Sequence, residues 1–151
     1  MKRTIRPILG VTLLEIMLVL AIAAMIIVMS VRYYQSATTS QQATSTVNQA
    51  LAIITAMESM AAAQGTFTSV AADAAAATTA VLNYLGGGSA MTTINGGAAA
   101  ITVLAANTFT ATMALTVPVC NSVSVRIKST KVTSATCDTT GVLTFTYNRT
   151  L

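Results

Sequence analysis

Apolar and polar positions divide the chain into three stretches with different periods. From Val11 to Val31 the residues are almost all apolar, and Glu15 is the one charge among them. A helix of about 21 residues spans roughly 30 Å, the thickness of a bilayer's hydrocarbon core. Further on, Val47, Leu51, Ile54, Met57 and Met60 or Ala61 recur every three or four residues, the period of a helix with one apolar face. Between the two lies "QSATTSQQATST", a run of weak helix formers. No Gly or Pro interrupts Val11 to Gln64, and Gly65 is the first residue suited to end a helix. The pattern predicts one long helix, softest at the Ser/Thr stretch.

After Gly65 the text becomes Ala/Thr-rich, and "ATTAVLNYL" ahead of Gly86-Gly87-Gly88 predicts a second, short helix. The glycine run and Asn95-Gly96-Gly97 mark loops. The run lacks the trailing Lys and Ser/Thr of a phosphate-binding loop, so a linker is expected. Beyond residue 98 the apolar period shifts to two in "ITVLA", "TFTATMALTV" and "VLTFTYN", which read as strands. "SVSVRIKSTKVT" fits either a strand or a short helix. Asp138-Thr139-Thr140-Gly141 reads as the turn into the last strand. The expected fold class is α+β: a long N-terminal helix packed on a small head of three to four antiparallel strands.

Composition narrows the chemistry. Charged residues make up 8% of the chain and apolar ones 54%, too apolar for a disordered polymer. The acids are Glu15, Glu58, Asp73 and Asp138, and there is no His. Acid–base catalysis would have no imidazole, and Asp73 and Asp138 are too few to hold calcium unaided. With Cys120 and Cys137 the only cysteines, the usual zinc spacings are missing too. No enzyme, cofactor or metal site is expected. The net charge of +4 does not make a nucleic-acid footprint, because half the cations flank the apolar run. Lys2, Arg3 and Arg6 precede it and Arg32 follows, an arrangement that keeps the N-terminus in the cytoplasm. Arg126, Lys128 and Lys131 are the remaining cluster, a weak candidate for contact with nucleic acid or a surface. Cys120 and Cys137 could close a loop of about 17 residues, stabilising the fold by on the order of 3 kcal/mol, or remain two unpaired buried thiols.

Glu15 is the residue that a plain membrane anchor does not explain, since a carboxylate in hydrocarbon costs several kcal/mol. A secretory signal peptide would place Ala21-Ile22-Ala23 at its cleavage site, yet Met25 to Met29 follow as another apolar run. "KRTIRPILGVTLLEIMLVLAIAAMII" instead resembles the leader and first helix of type IV pilins and the related type II secretion pseudopilins. The matching features are a basic leader ending in Gly10, then Val11, Thr12-Leu13, and Glu15 as fifth residue after the leader. Val11 stands where many members have Phe, and is closer to type IVb and conjugative pilins.

The resemblance implies a cleaved leader (residues 1–10), a transmembrane and filament-core half-helix (11–32), an amphipathic half (33–65) and a globular head (66–151). It implies that prepilin peptidase cuts after Gly10 and methylates the Val11 amine, and that Glu15 meets that amine on a neighbouring copy. It further implies a C-terminal disulfide loop between Cys120 and Cys137. The partners expected are copies of the chain, the peptidase, an inner-membrane platform and a cytoplasmic ATPase. The location expected is the inner membrane first, with the head in the periplasm, and then the cell-surface filament. A minor pilin or pseudopilin is the alternative within the family. A membrane-tethered module binding DNA or a surface through Arg126, Lys128 and Lys131 is the alternative outside it.

Overall fold

A computed structural model describes residues 12–87, 91–93, 96–128 and 131–150. Helix α1 runs from Leu13 to Gln64, α2 from Phe67 to Val70 and α3 from Ala74 to Tyr84. Strands β1 (Ala99–Ala105) and β2 (Thr108–Ala114) follow, then α4 (Val117–Arg126), β3 (Val132–Cys137) and β4 (Val142–Asn148). The chain divides into two compact units, one ending at Ala37 and the other starting at Thr38, and α1 contributes to both.

The first unit is the apolar part of α1. The second is an α+β unit around one antiparallel sheet of order β1-β2-β4-β3. Its strands alternate as their period predicts. Phe109, Ala111 and Met113 of β2, with Leu143, Phe145 and Tyr147 of β4, point inward and are buried. Thr108, Thr110, Thr112, Thr144 and Thr146 occupy the opposite face, where β-branched side chains suit a pleated, half-exposed surface. Three rings form the centre: Phe67 stands edge-on to Phe109 with centroids 5.1 Å apart, and Phe109 lies 5.3 Å from Tyr147. Such pairs contribute about 0.5–1.5 kcal/mol beyond their burial.

The Ser/Thr stretch is helical throughout. Thr44 and Thr46 donate their hydroxyls to the carbonyls of Ser40 and Gln42, one turn back, so neither competes for the helical backbone. The buried seam of α1 runs through Ala43, Thr46, Ala50, Ile53, Met57 and Ala61. Leu51, expected on that seam, is half exposed, while its neighbour Ala50 is fully buried. The helix ends where expected: Gly65 has φ 96° and donates to the Ala61 carbonyl at 2.7 Å.

Other boundaries differ from the periodicity. α2 was not foreseen; Thr66 caps it by accepting from the Ser69 amide at 3.1 Å, and it inserts Phe67 into the core. α3 starts earlier than "ATTAVLNYL" suggests, because Asp73 caps it by accepting from the Ala76 amide at 2.7 Å. β2 stops at Ala114, since Pro118 occupies the first turn of α4. The ambiguous segment takes both forms, helix to Arg126 and strand from Val132. The turn into β4 is built on Asp138. Its carboxylate accepts from the amides of Thr140 and Val142 and the Thr140 hydroxyl, each at 2.8 Å. Gly141 closes it at φ 90°, where an added Cβ would lie 2.3 Å from the Leu115 carbonyl.

Candidate functional site

The apolar half of α1 is long and apolar enough to cross a membrane, and none of its most apolar stretch is buried. Leu13 and Leu14 are more than 70% exposed, and Ile22, Met25, Ile26 and Met29 more than half. The exposure goes all round the helix, not along one stripe. A helix of that kind is stable only where another apolar medium surrounds it, whether lipid or protein. Its one polar side chain between Glu15 and Arg32 is Ser30, whose hydroxyl donates to the Ile26 carbonyl at 2.8 Å. That hydroxyl therefore brings no unmet donor into such a medium.

Glu15 stands in the first turn, exposed, with its amide donating to the Thr12 hydroxyl at 3.3 Å and to the Thr12 carbonyl at 3.0 Å. Thr12 thus caps the helix, and the Thr-x-x-Glu spacing is that of a capping box. The helix N-terminus also favours a carboxylate electrostatically. Gly10 and Val11 lie outside the described residues. At the far end of the apolar run, Arg32, Tyr33 and Tyr34 are exposed in succession, types that suit a membrane–water boundary.

In the second unit, Cys120 and Cys137 form a disulfide with Cα atoms 5.8 Å apart, joining α4 to the end of β3. This resolves the choice between bridge and free thiols. The three basic residues of the loop are placed differently from one another. Lys131 bonds to Glu58 of α1 at 3.2 Å, and Arg126 donates to the Thr44 hydroxyl at 3.1 Å. Lys128 is exposed. Two of the three cations are therefore engaged with α1, which weakens them as a docking surface for an anionic partner.

Glu58 is a residue that sequence reasoning left without a role. The hydroxyl of Tyr147, on a ring buried in the core, donates to the carboxylate oxygen that also receives Lys131. The Tyr147 bond, followed by Lys131, holds the Glu58 carboxyl below its ordinary value. Burial, and secondarily the Glu58 carboxylate, pushes the Tyr147 phenol up. The signal available was Glu58 itself, a lone acid beside the apolar seam of an otherwise uncharged helix segment. Among the described residues, no group of three or more His, Cys, Asp or Glu side chains is placed to hold a metal ion.

No family model, curated protein or solved structure matches the chain. The functional reading therefore rests on the residues themselves.

Proposed function

We propose that this chain is a structural subunit of a type IV pilus-like filament. In this reading the leader is removed after Gly10 and the Val11 amine is methylated. The apolar half of α1 then moves from the bilayer into a polymer of copies of itself. The observation that carries the reading is an apolar helix exposed on every side, with a single carboxylate, Glu15, near its start. In lipid the helix is satisfied and Glu15 is costly. Among copies the apolar surface is again covered, and Glu15 gains a cation, the Val11 amine of a neighbour. A charge that is buried at a penalty unless matched penalises docking at the wrong height, so the carboxylate serves as a register device.

The head contributes a compact, disulfide-closed unit with few charges on its strands, suited to close packing outside the membrane. The chain itself supplies no energy for polymerisation; by resemblance, a cytoplasmic ATPase and an inner-membrane platform supply it. Replacing Glu15 with Leu tests the proposal. Membrane insertion should be unchanged or improved, while filaments are lost. Normal filaments from Glu15→Leu would show that the carboxylate has no part in assembly.

A further inference from the structure

We infer that Arg32 is a second register element of the filament-core surface, contacting Glu15 of another copy displaced along the axis by about 25 Å. The inference rests on the filament reading above and assigns a residue that the reading leaves unused. Between Leu13 and Met57, α1 carries two charged residues, Glu15 and Arg32, of opposite sign. The residues between them are exposed, and all but Ser30 are apolar. Any partner that covers this surface completely must also meet the charges at its two ends.

Within one chain they cannot pair, because about 17 helical residues hold them about 25 Å apart. Lipid asks nothing further of Arg32, whose long side chain reaches the interface. A polymer asks more. As the segment leaves the bilayer, water at the Arg32 level is replaced by neighbouring helices, and a desolvated guanidinium without an acceptor is strongly unfavourable. Along the described part of that surface, the acceptor with matching charge is Glu15 of another copy. Copies inserted in one membrane with the same orientation are parallel. An axial displacement of about 25 Å, give or take a helical turn for the reach of the arginine, brings the two groups level. The pairing does not displace the Val11 amine. An ionised carboxylate has about four acceptor positions, and a guanidinium can occupy one edge while an ammonium takes the other. The planar guanidinium, with its fixed fork of donors, discriminates against small axial slips better than an ammonium does.

The test is a photo-crosslinking amino acid placed at Ile16, beside Glu15, in the full-length chain assembling in cells. In sheared filaments, crosslinks between copies should map to residues within about one turn of Arg32. In parallel, Arg32→Gln should insert in the membrane normally and reduce sheared filament by about tenfold or more, whereas Arg32→Lys should retain part of it. Filaments that form in normal amount from Arg32→Gln, or crosslinks that never reach the Arg32 turn, overturn this inference and leave the filament reading standing. A wild-type chain that is inserted and processed but never polymerises overturns both.

Discussion

Tyr147 and Glu58 make the most consequential polar contact in the head. The ring of Tyr147 is buried among Phe67 and Phe109, so its hydroxyl needs a partner at the edge of the core, and the Glu58 carboxylate supplies it. The two truncations should therefore differ. Tyr147→Phe removes a donor and leaves Glu58 with Lys131, costing about 1 kcal/mol. Glu58→Ala leaves a buried hydroxyl unmet and Lys131 unpaired, costing about 1–3 kcal/mol. Urea denaturation of the full chain in detergent measures both; equal losses would contradict the asymmetry.

The same residues set the pH range of the fold. Glu58 and Asp138 titrate below their ordinary 4.5 and 3.8, Glu58 through Tyr147 and Lys131, and Asp138 through the Val142 amide and the Thr140 hydroxyl. A lowered carboxylate stabilises the folded state above its unfolded value, and that stability is lost as pH falls through the folded value. Tyr147 has the opposite sense: raised above 10.0, it stabilises below that value, and the contribution disappears as pH rises past it. Thermal melts should show a plateau from about pH 5 to 9, declining on both sides. Glu58→Gln with Asp138→Asn should flatten the acid limb; an unchanged acid limb would assign it to other groups.

At the scale of elements, much of the fold was legible because its signals are local. The stop at Gly65, the turn at Asp138 and the alternation in β2 and β4 each depend on a few adjacent residues. What was not legible depends on contrast that this composition removes. In an Ala-rich helix such as α1, the buried face runs through small residues, Ala43, Ala50 and Ala61, which hydropathy barely separates from their neighbours. Hydrophobicity alone therefore favoured Leu51, which is half exposed. α2 is four residues long and exists to place Phe67, a long-range packing event with no periodic trace. The division between α4 and β3 falls in a segment whose period suits either state. It is stabilised by the disulfide from Cys120 of α4 to Cys137 of β3. Reducing that bridge should lower unfolding stability by on the order of 3 kcal/mol, read as a shift in the denaturation midpoint with and without reductant. A midpoint that does not move would mean that packing alone holds α4 against β3.

On the scale of the whole molecule, the two units present opposite surfaces. The head buries its apolar residues in a closed core and turns a threonine-rich sheet face outward. The first half of α1 exposes its apolar residues on every side. That division was legible in the sequence from the unbroken apolar run. The partner proposed for Glu15 was not legible in physical terms, because the proposal puts it on another copy, and Gly10 and Val11 lie outside the described residues. The central claim is that the chain is processed at Gly10 and then polymerises. Mass spectrometry of surface filaments sheared from cells tests it most directly. The account predicts an abundant chain that begins at Val11, carries a methylated amine and retains the Cys120–Cys137 bridge. A chain found only in the membrane fraction with residues 1–10 intact would contradict it.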